Sequence, residues 1–559
     1  MIHDLKTRRE FLEFMGLSAA AVGLSGTAAS LLSSCASNPT APAVLAAPPP
    51  FEPVAASSAD TLGLANGFNA KILLRWDDAL NNKGDFWGAN NDYLAFFRLN
   101  EEGTDGILWS NHESYVPMFV SGRKRGSVAT RSQILKEQLS VGGSLVRIKK
   151  DPATGEWALV KNDPHNRRLT GQTKIPIISE RPIMGSKVAV GTFGNCAGGI
   201  TPWGTVLTAE ENTDDFYGTA VYDEKGKRTI EESVFGWEKF FNYPPEHYGW
   251  IVEVNPLTGA AKKLTSIGRY AHECATIRVA KDGRCVVYSG DDGNDRCLYK
   301  FIADKPGSLE TGKLYAADVA NGKWISLSIK DQPKLKAAFK DQTEVLIRCR
   351  EAAPMVGASA LARPEDIEID PQTGSVYITL TNNQPKGNMF GEILKLEEKN
   401  NDPLSLEFTS STFAAGGPDS QFACPDNLAF DRRGNLWMTT DVSGKDMNRG
   451  QYLPFKNNSL FYIPLHGPNA GKAFRVATAP NDAELTGPVF SHDGRNLFLA
   501  VQHPGETSKA LDQLTSHWPD GGQSVPRSSV VVISGPTLDK LVEGEAIKPL
   551  FEMPVLKRS

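Results

Sequence analysis

Turn signals of one kind recur along this chain, and they restrict its fold more than any other feature. They stand in "DPATGEWALV" from Asp151, "NPLTGAAKKL" from Asn255, "KDGRCVVYSG" from Lys281, "DPQTGSVYITL" from Asp370, "DRRGNLWMTT" from Asp431 and "HDGRNLFLAV" from His492. In each, Asp or Asn and a glycine with access to positive φ make a tight turn beside a run of β-branched and aromatic residues, the pattern of a hairpin. At 559 residues the chain is too long for one small core. Hairpins spread over such a length predict an all-β array. A β-propeller meets that demand, because radial repetition of four-stranded blades buries the sheet faces and leaves only short edges. The turns keep no fixed period, so the blades are expected to be irregular, with helical and loop insertions such as residues 233–249 and 328–342. Two stacked β-sandwiches are the other arrangement the pattern allows.

Several function classes lack support. No glycine-rich loop follows a strand and opens a helix, so neither a dinucleotide fold nor a P-loop is indicated. No Gly-x-Ser-x-Gly elbow is present for serine hydrolysis. The formal net charge is −5, whereas a nucleic-acid binder shows a basic excess.

The N-terminus reads as targeting sequence. Thr7-Arg8-Arg9-Glu10-Phe11-Leu12 is a twin-arginine pattern, followed by an apolar run rich in small residues from Met15 to Leu32. Residues 1–35 are therefore expected to be a Tat export signal. Leu32-Ser33-Ser34-Cys35 resembles a lipobox, with Cys35 as the lipidation point; cleavage at an Ala-rich site is the alternative. Residues 36–60 read as a Pro/Ala-rich linker, and 61–559 as a single catalytic domain. The expected location is periplasmic or extracellular, with the export machinery as a partner and a lipid anchor if Cys35 is modified. Apart from Cys35, the cysteines stand at irregular spacing without a CxxC pair, which argues against a zinc ribbon or a thioredoxin-like site.

Acidic and amide residues interrupt the most apolar strands: Asn91-Asp92, Asn111-His112-Glu113, Glu210-Glu211, His272-Glu273, Asp291-Asp292, Glu365-Asp366, Asp426-Asn427, Glu484 and His503-Pro504-Gly505-Glu506. In a propeller the inner strands converge on one axis, so these remote residues would meet. Crowded buried carboxylates repel one another, and cations between them resolve the conflict. Oxygen donors suit Ca²⁺; a thiolate such as Cys196 among them favours a transition metal such as iron.

The segments "GTFGNCAGGITPWGTVLTAEEN", "GRYAHECATI", "VVYSGDDGND", "ARPEDIEID", "ELTGPVFSHDG" and "QHPGE" with "SHWPDGG" resemble, in the same order, the PhoX family of Tat-secreted bacterial alkaline phosphatases. The resemblance covers about residues 65 to 535 and implies a propeller, here of six blades, with an axial iron–calcium cofactor that hydrolyses phosphate monoesters. By the matching motifs it implies that Cys196 ligates iron, that Glu211, Glu273, Asp292 and Glu365 are anionic ligands, and that Glu210 and Glu484 are further metal ligands. Asn91, Asp92, His272 and Asp426 become outer ligands or their supports. Arg363 becomes the phosphate-binding residue, and Arg363 and Cys196 the residues that carry catalysis. His112, His503 and His517 are expected to be structural, and the protein a monomer acting on small phosphomonoesters. Two other readings remain: a lactonase-like calcium-dependent propeller hydrolase, and a non-catalytic surface module stabilised by calcium.

Overall fold

A computed structural model describes residues 47–124, 126–223 and 226–557. The twin-arginine segment and Cys35 lie outside the described residues. The turn signals form as their chemistry dictates. Asp151 Oδ1 accepts hydrogen bonds from the backbone N–H groups of Ala153 and Thr154 at 2.7 and 3.0 Å; Asn255 does the same for Leu257 and Thr258, and Asp431 for Arg433 and Asn435. Each side chain replaces a backbone partner and sets the reversal between two strands.

Among the described residues, the strands those turns join form six sheets of four or more strands, arranged as the blades of a propeller and antiparallel except where Ala261–Leu264 pairs in parallel with Lys174–Ile178 at the outer side of the second. In chain order their inner strands are Asn91–Arg98, Asn195–Ile200, Thr276–Val279, Pro364–Ile369, Pro425–Phe430 and Glu484–Phe490. Each inner strand packs against the inner strand of the next blade. Blade 6 closes the ring with both ends of the chain, since Asn69–Arg75 pairs with Ser529–Ser534. The stacked-sandwich alternative is thereby excluded.

The inner and middle strands of each blade lie between two neighbouring sheets, which explains apolar runs with no polar face. In blade 1, Leu94 and Phe96 pack with Phe498 and Val530 of blade 6. Their neighbours Ala95 and Phe97 face the other way, towards Val206 and Val252 of blade 2. Comparable clusters join blades 2 and 3, 3 and 4, 4 and 5, and 5 and 6. Each fully buried large side chain contributes about 1.5–3 kcal/mol, so the core is a ring of inter-blade layers around the axis.

The segment 233–249 does form an insertion, held by aromatic rings around the fully buried Phe193, including Phe216, Trp237 and Tyr248. The segment 328–342 is part of a second one, which continues through helices at Pro333–Ala338, Gln342–Ile347 and Cys349–Val356. The expected linker differs from the structure. The compact unit begins at Pro48 rather than at residue 61. Phe51 is buried against Phe68, Tyr462 and Phe474, and Asp60 accepts from Ser516 Oγ and the His517 backbone N–H at 2.6 and 2.7 Å. One aromatic and one acid anchor what composition alone reads as solvated.

Candidate metal centre

The strand register aims the chemistry. In blade 1, Asn91 pairs with His112 and Leu94 with Ser110, so three steps on the inner strand face two on its neighbour. That is a β-bulge, which places one extra residue in the inner strand and redirects its side chain. The same irregularity follows Asn195, Pro364 and Pro425 in blades 2, 4 and 5. In blade 3 the bridge His272–Asp291 and the pair Thr276–Tyr288 leave four steps against three. The residue after the first pair is Asp92, Cys196, Glu273, Glu365 or Asp426. Blade 6 departs from the pattern: Glu484 itself pairs with Gln502, and the bulge comes later, between Thr486 and Val489.

A second tier follows from the same register. One residue beyond the paired position on the adjoining strand stand Glu113, Glu211, Asp292, Thr381, Asp441 and His503. Glu113, Asp441 and His503 line a cavity of about 560 Å³ together with Arg363 and Glu484.

Cys196 Sγ lies 3.1 Å from Glu273 Oε1 and 3.5 Å from Asp92 Oδ2. Ligand atoms of Cys196, Glu211 and Glu273 fall within 4.8 Å of one another, as do those of Glu273, Glu365 and Asp426. Glu273 thus belongs to both groups. Arg363 holds the rim: Nε and Nη2 donate to Asp292 at 2.9 and 3.1 Å, and Nη2 is 2.6 Å from Glu365 Oε1. Its Nη1 is 3.6 Å from Asp441 Oδ2, beyond hydrogen-bond reach. Gln502 Nε2 bridges Asp92 and Glu113 at 2.9 and 2.8 Å.

The electrostatics of the protein alone are unfavourable. Burial, then Glu365, Glu211 and Asp426, push Glu273 well above the usual carboxylate range. Burial and its acidic neighbours also raise Glu211, Asp92 and Glu484 strongly, and Asp426 to about 7. The Cys196 thiol is pushed up by burial, then by Asp92 and Glu273. Within the cluster Asp292 is held low: burial opposes it, and the Arg363 guanidinium prevails. Asp92 Oδ1 and Glu273 Oε2 are buried with no hydrogen-bond partner. Orphaned anionic oxygens beside a thiol form a donor set that fits bound cations.

Not every expected ligand joins the group. Glu210 does not: its Oε1 is 2.6 Å from Lys263 Nζ, both side chains fully buried, and its Oε2 accepts from the Gly249 and Trp250 backbone N–H groups. Adjacent residues of an extended chain point to opposite sides, so Glu210 faces the sheet interior while Glu211 reaches the axis. Asn91 donates through Nδ2 to the Ser529 carbonyl at 3.0 Å, while its Oδ1 is buried with no hydrogen-bond partner, as Asp92 Oδ1 is. His272 has both nitrogens engaged, with Ser289 Oγ and the Gly268 carbonyl, and thereby fixes the backbone before Glu273. His112 is structural, between Ala89 O and Ser144 Oγ. His503 does not fit a purely structural description, because it lines the cavity 3.3 Å from Glu484 Oε2. Asp441, which the sequence did not single out, follows the second strand of its blade by one residue, as Glu113 and His503 do, and that register is the signal that could have found it.

The profile of the alkaline phosphatase PhoX family matches residues 49–505. The chain belongs to the PhoX family. It is accordingly a phosphomonoester hydrolase of a metal-dependent family. Among solved structures, Pseudomonas fluorescens PhoX in complex with vanadate, a transition-state analogue, is similar with a TM-score of 0.77 and 28% identity, over 87% of this chain and 98% of that one. A gluconolactonase of Xanthomonas campestris matches at a TM-score of 0.31 and 11% identity over 87% and 99% of the two chains. No curated protein matches the chain. The PhoX match spans all six blades' inner strands, from Asn91 to Glu484.

Proposed function

We propose that this PhoX protein is an alkaline phosphatase that hydrolyses phosphate monoesters at the axial acidic cluster, with iron held at Cys196, Glu211 and Glu273 and calcium at the oxygen donors around Glu273, Glu365, Asp426 and Glu484. The observation that carries the reading is the placement of Cys196 against Glu273 and Glu211, with Arg363 paired to Glu365 of the neighbouring acidic group and lining the cavity. Cations held by these residues would neutralise phosphoryl charge and lower the pKa of an attacking water.

The chain's own residues supply the rest. Arg363 is clamped by Asp292 and Glu365, which fixes its plane and leaves Nη1 to bind a phosphoryl oxygen. The cavity admits the ester from the side of blades 4, 5 and 6, where Asn382, Asp441 and His503 stand. A lactonase-type calcium site has no use for a thiol, so Cys196 among the acids favours the phosphatase.

The test is metal analysis of protein purified without added metal, paired with p-nitrophenyl phosphate turnover before and after calcium chelation. We expect iron and calcium in the active form and loss of turnover on chelation. The Cys196→Ser protein is expected to lose iron and at least ~100-fold in activity, the upper end of the effect of outer-shell changes. Full activity in Cys196→Ser would reject the iron assignment. We also propose that residues 1–35 direct export through the Tat machinery; cell fractionation with Arg8→Lys/Arg9→Lys, which should retain the protein in the cytoplasm, tests this.

A further inference from the structure

We propose that the segment from Ser443 to Lys456 forms a cationic subsite that receives the leaving group and selects phosphoesters whose organic part carries a second anionic group. The inference deepens the phosphatase reading and rests on it. A second cavity, of about 470 Å³, adjoins the first, and Gly444 lines both. A Cβ on Gly444 would come within 2.3 Å of Glu506 Oε1 and 3.1 Å of Thr507 Cγ2. Glu506 lines the first cavity and Thr507 the second. The missing side chain therefore keeps the junction between the two spaces open.

The charges along this path are unusual for the site. The axial cluster is acidic, yet Lys445 lines the first cavity, and Arg449 and Lys456 line the second. Among the described residues none of the three is ion-paired with a carboxylate; Arg449 Nη1 donates only to the Lys445 carbonyl, at 3.0 Å. The acid of the second cavity, Asp482, pairs with none of the three cations: its Oδ2 accepts from the Thr507 hydroxyl at 2.7 Å and from the Thr515 hydroxyl. Asn448 places a buried Oδ1 there with no partner, while its Nδ2 donates to Asn457 Oδ1 at 2.9 Å.

The backbone holds these groups in a demanding conformation. Asn448 and Lys456 have φ of 60° and 63°, a region lysine rarely adopts and keeps only where the surroundings enforce it. Enforcement comes from Met447, Tyr452 and Phe455, buried together beside Phe390, and from the Tyr452 hydroxyl, which donates to the Met389 carbonyl at 2.6 Å. With the phosphoryl end at Arg363, the organic part passes Gly444. A carboxylate or second phosphate then meets Lys456 and Arg449, and a hydroxyl donates to Asn448 Oδ1. Phosphorylated sugar acids have this chemistry.

A matched pair of substrates tests the subsite. 6-Phosphogluconate and glucitol 6-phosphate share chain length and internal hydroxyls and differ in a terminal carboxylate against CH₂OH. The native, metal-loaded protein is expected to favour 6-phosphogluconate by about 10-fold in kcat/KM, the effect of one charge-assisted hydrogen bond. Lys456→Gln combined with Arg449→Gln should bring that ratio close to one. Because both substrates are measured on the same preparation, partial loss of folding or metal cancels. Should the variant not fold, rising NaCl should reduce the ratio in the native protein, as it does for partly exposed charge pairs. A ratio near one in the native protein at low salt overturns the subsite. So does a ratio that survives both the double substitution and high salt. Failure to turn over p-nitrophenyl phosphate as well overturns the phosphatase reading first, and the subsite with it.

Discussion

Arg363 has a left-handed backbone, φ 50°, immediately before the bulged stretch that presents Glu365. Its guanidinium reaches Asp292 on the blade before and Glu365 on its own. A lysine has the charge but not the planar fork, so Arg363→Lys is expected to lower kcat/KM about 100-fold, within the range for removal of one preorganised donor, with metal content unchanged. Elemental analysis beside steady-state kinetics checks both halves. At this scale the cluster was largely legible in the sequence: Cys196, Glu211, Glu273 and Glu365 stood out as polar residues against apolar strands, and they meet. Glu210 did not announce that it faces away, since that depends on where Val206–Glu210 ends and on Lys263, which comes from another strand. Asp441 was missed because a lone aspartate after "LWMTT" has the look of any solvated strand end. Only its register beside Glu113, Glu211 and Asp292 sets it apart.

At the scale of elements, the tight turns were plain because Asx and glycine chemistry is local. The bulges were not, because one extra residue is visible only against the partner strand. They depend on close approach between blades. A Cβ on Gly199 would lie 2.0 Å from the Ala275 carbonyl oxygen of blade 3, and one on Gly198 2.8 Å from the Tyr93 ring of blade 1. Backbone cannot yield as a flexible side chain does. Gly199→Ala is therefore expected to destabilise the protein by about 1–3 kcal/mol, as overpacking does, and to shift Cys196 relative to Glu273. A lowered melting temperature together with reduced iron content would bear this out; an unchanged melt would contradict the packing described. The insertions at 233–249 and 328–342 were recognisable as breaks in the turn pattern, though not the ring of aromatics around Phe193 that docks the first.

For the whole molecule, the acids make stability depend on pH in an unusual sense. Asp426 and Asp366 are raised by burial to about 7, above their values in an unfolded chain. Stability from such groups is complete below the unfolded value, about 4, and is lost as pH rises through the folded one. Metal-free protein should accordingly melt higher near pH 5 than near pH 8, and calcium should close the gap by binding the folded state. Thermal melts in chelator across that range decide it, and no pH dependence would count against a cluster that needs neutralising. Truncation tests closure: removal through Arg75 strips Ser529–Ser534 of its partner and should give insoluble protein.

Closure by strands from opposite chain ends also orders events in time. A ribosome that has delivered five blades holds an arc with a gap, its acids still open to water. Glu484 and Gln502 emerge late, and the seam at Asn69–Arg75 can form only when Ser529–Ser534 arrives. Any ions the axial cluster binds can therefore be enclosed only when synthesis is nearly finished, and a chain cut short before blade 6 is expected not to retain them.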